Sequence, residues 1–300
     1  MITKEATEVA PVTPAPVTPA AEQRPRRKRR AWDEAPRWQI YVPLSIYLLF
    51  TLIPFYWILL FALRRPGSTS LVPWPMTFEH FEKVWNDRDF GVYFQNSVLT
   101  GIATLVLTTV VALAGGYALA RFDFRIKRGF MIALLCTQFV PGALLLVPLF
   151  QIFAELKMIN SLASVIIAET VFQLPLSMIL ISGFIRNVPY SLEEAAWVDG
   201  CNRFTAFRIV VLPLLRPGLI AVGSFAFVHA WNHFLFALMF LSDQSKQTIP
   251  VGLNTLMSSD SVDLGALAAG GIIAAVPVVI VFAFIQKWLI TGFSAGAVKG

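Results

Sequence analysis

Six stretches in which apolar residues run nearly unbroken organise this chain: Ile40–Leu63, Val92–Ala120, Phe130–Phe153, Leu162–Ile185, Gly218–Leu241 and Gly265–Ile290. Each exceeds the ~20 residues that a helix needs to cross a ~30 Å hydrocarbon layer. Inside such a layer a backbone must satisfy its own hydrogen bonds, so each stretch predicts a helix. Prolines fall within them: Pro43 and Pro54 in the first, Pro141–Gly142 and Pro148 in the third, Pro175 in the fourth. Membrane helices tolerate these where neighbouring groups re-satisfy the freed backbone. The expected fold class is an all-α membrane protein with six transmembrane helices, spanning a domain over residues 40–300.

The polar segments between the stretches fix the orientation. With the N-terminus inside, 18 Lys and Arg fall on the inner side and 6 on the outer, a strong positive-inside bias that makes both termini cytoplasmic. Arg64 and Arg65 dissent, at the outer end of the first stretch, where long side chains snorkel to the interface. Residues 1–39 form a tail rich in Pro and then in basic residues (Arg24–Arg30), expected to be disordered and, next to the membrane, to contact anionic lipid. It lacks the short apolar core and cleavage site of a secretory signal.

Composition agrees: 56% of the residues are hydrophobic and 14% charged, against roughly 25% charged in soluble domains. The net charge of +6 sits largely in the tail, so it does not imply nucleic acid as a partner. Two cysteines, Cys136 and Cys201, offer neither a disulfide framework nor a CxxC metal site. Small residues recur every fourth position at Ala112, Gly116 and Ala120, and at Ala266, Gly270 and Ala274, a spacing that lets helices approach closely. No repeat announces the inverted halves of a secondary transporter.

The most informative polar segment is 187–216, between the fourth and fifth stretches. Ser191 and Glu194 have capping-box spacing, and Leu192 to Asp199 continue as a short helix that Gly200 stops or bends. Phe204, Phe207 and Ile209 form a second apolar patch, ended by Leu212–Pro213. Two short apolar-faced helices on the inner surface predict a docking element.

Glu194–Ala195–Ala196, Asp199–Gly200, Phe207–Arg208–Ile209 and Leu212–Pro213–Leu214 with Pro217 resemble the EAA loop of ABC importer permeases. Trp231–Asn232, Phe234 to Leu238, the terminal Ser294–Gly300, and Phe94, Asn96 and Ser97 narrow the resemblance to the carbohydrate-uptake type, the MalG-like second permease of maltose-type transporters. It covers residues 38–300. It implies the type I importer permease fold in a bacterial plasma membrane. The implied partners are a second, non-identical permease, two copies of a cytoplasmic ATPase and an extracytoplasmic solute-binding protein. ATP and Mg would be bound by the ATPase subunits, and this chain would carry no cofactor and catalyse nothing. The implied docking residues are Glu193, Glu194, Ala195, Ala196, Asp199, Gly200, Phe204, Phe207, Ile209, Leu212 and Pro213, with Gly296–Gly300 reaching toward the ATPase interface. The sequence has no GxxxxGK[ST] phosphate loop, consistent with an energy source in another subunit.

Polar residues within the stretches are candidates for a solute path, because burial in lipid is costly. Glu169 and Gln173 lie four apart on one face beside Pro175; they either line the path or bond to a neighbouring helix. Gln138, Asn232 and Asn96 are similar candidates. His229 and His233, also four apart, lack an adjacent carboxylate or thiolate in the sequence, so bonding between helices is expected rather than a metal site. Trp32, Trp38, Tyr41, Trp74 and Trp288 read as interface anchors.

Overall fold

A computed structural model describes residues 36–258 and 262–297, with side chains described for residue 36, for 38–258 and for 262–286. The tail before residue 36, Trp32 with it, and Val298–Gly300 lie outside the described residues, as does the side chain of Trp288. The chain divides into two compact units, Met1–Ile53 and Pro54–Gly300. The boundary falls within helix α1 (Arg37–Leu63). In the first unit the helical side chains from Trp38 to Ile53 are exposed, as an apolar helix surface that meets lipid requires.

The second unit is built of helices joined by short turns. A short α2 (Glu79–Asp87) precedes the long α3 (Phe90–Arg121). The third apolar stretch becomes α4 (Lys127–Thr137), a 3-10 turn (Gly142–Leu145) and α5 (Leu146–Glu155). The two halves are bent by 93°, because Pro141 cannot continue the ladder and holds an extended ψ of 126°. Helix α6 (Leu162–Arg186) starts at Ser161, whose hydroxyl accepts from the Ala163 N–H. It runs unbroken past Pro175. Then follow α7 (Tyr190–Val198), α8 (Arg203–Ala206), a π-turn (Phe207–Val211), α9 (Leu212–Leu214), α10 (Arg216–Asn232), α11 (Leu235–Phe240), α12 (Ile249–Met257) and α13 (Leu264–Ala297). Among the described residues four helices are long and apolar enough to cross a membrane, or six if each of two bent pairs is one span. The fifth apolar stretch is not one helix: it breaks at His233–Phe234, where no proline or glycine signals it.

Helices α3, α6 and α10 form the centre of this unit. Gly116 lets α3 lie against α6: a Cβ there would stand 2.7 Å from Ile181 Cγ2 and 3.1 Å from the Met178 carbonyl oxygen. Ala112, Ile181, Ile185, Val188, Val211, Leu215 and Val222 close one end of this centre. Phe90, Tyr93, Phe227, Trp231, Ile249 and Ala269 belong to a second cluster. Gly218 of α10 abuts Phe184, while Phe227, two turns on, abuts Gly101. So α3 and α6 run parallel and α10 runs back alongside both. Both small-residue stripes are spent inside the chain: Ala112 and Gly116 on α6, Gly270 against Leu253 and Phe90.

Polar loops gather where α3 begins. The Asn96 amide donates to the carbonyl oxygens of Ser245 (3.0 Å) and Gln247 (2.9 Å), and Ser97 Oγ accepts from the Ile249 N–H at 2.9 Å. Asp263 caps α13, accepting from the N–H groups of Gly265 and Ala266 and from Lys83 Nζ at 3.0 Å. Partial burial works against its charge, but the Ala266 N–H and Lys83 outweigh it and hold the carboxyl below its ordinary range.

Candidate functional site

The loop 187–216 folds where α3 and α6 end. Helix α7 begins at Tyr190, with Pro189 in the cap position and no side-chain cap. Ser191 is therefore already inside the helix and the Ser191–Glu194 capping box does not form. A proline with fixed φ has taken over the start, and it needs no hydroxyl partner. The acidic residue that secures α7 is Glu193, only 1% exposed. Its Oε1 meets Arg121 Nε at 2.6 Å and its Oε2 accepts from the Tyr117 hydroxyl at 2.8 Å. Arg121 also donates to the Val188 carbonyl oxygen at 2.9 Å and lies over the Tyr190 ring. A buried carboxylate and guanidinium of this kind are tolerated only when paired and hydrogen-bonded on all sides.

This anchor settles which face of α7 is free. Glu194 and Ala195 are exposed, Ala196 is half-buried, and Val198 stands 88% exposed. Asp199 follows as the cap residue, and Gly200 takes φ +89°, the left-handed conformation that glycine adopts without penalty. The N–H of Gly200 donates to the Trp197 carbonyl and that of Cys201 to the Ala196 carbonyl, the bond pair of a Schellman stop. Asn202 then caps α8, its Oδ1 accepting from the Thr205 N–H at 2.8 Å, a cap that the motif reading had missed although Asn is a common signal for one.

The three aromatic and aliphatic members of the second patch do not act together. Phe204 (73% exposed) and Ile209 (63%) point away from the protein. Phe207 turns inward, edge-on to Tyr117 at 5.0 Å. The π-turn has a covalent cause: Pro213 has no N–H for the Ile209 carbonyl, and the Leu212 N–H reaches back five residues to Phe207. Leu212–Pro213 does not end the helix as the sequence reading expected. Helical structure runs to Leu214 and meets α10 at a 74° bend. Leu212 and Pro213 are half-buried.

The intramembrane candidates separate. Glu169 is wholly buried, and the fold supplies the carboxylate that the two histidines lack in the sequence. His229 Nδ1 lies 3.1 Å from Glu169 Oε2, and His233 Nδ1 lies 2.7 Å from Oε1, a close contact set off the hydrogen-bond line. Each ring faces a different oxygen, and among the described residues no group of three or more His, Cys, Asp or Glu could hold a metal ion. Gln173 is buried one turn on, its Nε2 without a partner. Gln138 is exposed and donates to the Phe172 carbonyl at 3.3 Å beside an apolar cavity of about 460 Å3. Asn232 is exposed at a second cavity, of about 360 Å3, also lined by Phe234 and Asn254.

The family model described as the binding-protein-dependent transport system inner membrane component matches residues 112–294, which takes in the loop, its anchor and α10. The chain belongs to this family. Binding-protein-dependent permeases are multi-pass transport components of ABC importers, not enzymes. The permease is 35% identical to the diacetylchitobiose uptake system permease protein DasC of Streptomyces coelicolor, over 86% of this chain and 95% of that protein. It is 34% identical to the melibiose/raffinose/stachyose import permease protein MelC of Bacillus subtilis, over 83% of this chain and 91% of the relative. A bacterial ABC transporter that imports the acidic polysaccharide alginate contains a chain of the same fold, with TM-score 0.70 at 22% identity, covering 84% of this chain and 98% of that one. The carbohydrate-uptake resemblance read from the sequence therefore stands.

Proposed function

We propose that this permease forms, with a second and non-identical permease, the membrane path for a di- or oligosaccharide or a glycerol-phosphate-like solute. Six spans would place both termini in the cytoplasm, with α4–α5 counted as one bent crossing. An extracytoplasmic binding protein would deliver the solute, and two ATPase copies, holding ATP and Mg, would grip the loop 187–216. Closure of the ATPase pair would move the loop and swing the helices by rigid-body motion between inward- and outward-facing arrangements. The observation that carries this reading is the division of labour in the loop. Glu193 is tied to Arg121 and Tyr117, while the side chains of Glu194, Ala195, Val198, Phe204 and Ile209 are exposed. An apolar surface so placed on an internally anchored hairpin suits a cleft on another subunit. The names of the relatives support a sugar as the cargo.

Purification of the tagged chain in mild detergent from its native membrane, with mass-spectrometric identification of partners, tests the reading. A Gly200→Asp variant runs beside it, since a side chain at φ +89° is strained. An ATPase and a second permease are expected with the wild type, and the ATPase is lost or uptake abolished in the variant. Recovery of the chain alone, transporting without ATP, would overturn the proposal.

A further inference from the structure

Near its end α10 carries Phe225, His229 and Asn232 at positions i, i+4 and i+7, with His233 following on the same side. Among the described residues this face is only partly covered, by Glu169 behind both histidines and by Phe236 against His233. Phe225 and Asn232 are exposed, and the histidine side chains are 40% and 22% exposed. The residues lie at the centre of the apolar stretch Gly218–Leu241, where an imidazole or amide turned to lipid is costly and such groups face protein or a water-filled cavity instead. Here too the helix stops: His233 takes an extended ψ of 120° before α11 begins. Helices broken at mid-membrane depth often border a solute site.

The chemistry of the face follows from its hydrogen bonds. The His229 ring turns its Nδ1 to Glu169 Oε2 at hydrogen-bond distance, so the Nδ1–H that donates there leaves Nε2 on the far side of that ring. That Nε2 is then left as an acceptor. Asn232 gives one N–H of its Nδ2 to the Val228 carbonyl at 2.8 Å and keeps the other N–H and its Oδ1 acceptor. Acceptors at His229 and Asn232, the second Asn232 N–H and the His233 ring beside an apolar ring suit a ligand rich in hydroxyl groups. The Asn254 amide stands across the adjoining cavity.

We propose that His229, Asn232 and His233 form a contact site for the hydroxyl groups of the transported solute, with Glu169 as the positioning residue behind both rings. This inference rests on the permease reading above. It moves Glu169 from the path itself to a place behind it.

The test uses the whole complex with its binding protein in proteoliposomes, and uptake of labelled diacetylchitobiose and raffinose as probes. His229→Ala and Asn232→Ala are each expected to raise the apparent KM about tenfold, the effect of losing one ordinary hydrogen bond. The loss falls on KM more than on the maximal rate, and the amount of complex recovered stays constant. Glu169→Gln shows the same split, which a purely structural role would not produce. Unchanged KM in all three variants would overturn the inference while leaving the permease reading intact. Loss of the second permease from the purified variants would also overturn it, assigning the face to a subunit contact. A wild-type complex that retains its ATPase but takes up neither probe would count against the sugar reading and, with it, this site.

Discussion

At the scale of single residues, adjacent glutamates in one short helix do opposite things. Glu193 is buried against Arg121 and Tyr117, and Glu194 faces out. Removing one member of a buried ion pair strands the other, so Glu193→Ala should destabilise the protein by about 3–5 kcal/mol. Glu194→Ala should stay within about 0.5 kcal/mol, as surface changes do. Thermal unfolding of the detergent-purified complex distinguishes them, and equal losses would contradict the assignment. The sequence shows a short helix with an apolar surface here, but not which acid turns inward. That choice is made by an arginine 72 positions earlier in the chain. Glu169 gives the same lesson, since its partners lie on another helix, 60 residues away for His229. Gly200, by contrast, was readable: its offset from a short helix signals a stop that only glycine adopts freely.

At the scale of elements, the long apolar stretches translated directly into α1, α3, α6 and α13, because length and composition alone demand a helix in a membrane. The third and the fifth did not become single straight helices. The 93° bend between α4 and α5 has a written cause in Pro141 and Gly142. The break after Asn232 has none, and arises where the α10 face turns to Glu169. Close approach of α3 and α6 gives a prediction at this level. Gly116→Val would drive its side chain into Ile181 and cost about 1–3 kcal/mol by overpacking. Gly183→Ala, on the open side of α6, has nothing within 4 Å to meet and should be neutral or gain up to about 1 kcal/mol. Melting temperatures of the two variants, compared in one detergent, check the contrast, and a Gly116→Val protein as stable as wild type would refute it.

At the scale of the whole molecule, the polar segments sort to opposite ends of the three central helices. The loops after α3 and α6 meet at Arg121, while the segments around Asn96, Ser245 and Asp263 meet where α3 begins. With the Cys136→Ser and Cys201→Ser background, Phe204→Cys is therefore expected to react with a membrane-impermeant maleimide only in inside-out vesicles. Ser242→Cys should react only in intact cells, with the outer membrane permeabilised where there is one. Labelling of both from one side would contradict the topology. The ends of the loop also differ in how they are joined to the rest. Its first helix is fastened to α3 through Glu193, held by the Arg121 guanidinium and the Tyr117 hydroxyl, and its last continues covalently into α10 through a 74° bend. Under the proposed coupling, a push on the loop would thus work as torque on a crank with two throws, turning α10 directly and drawing α3 through a link that a change at Glu193 alone would sever.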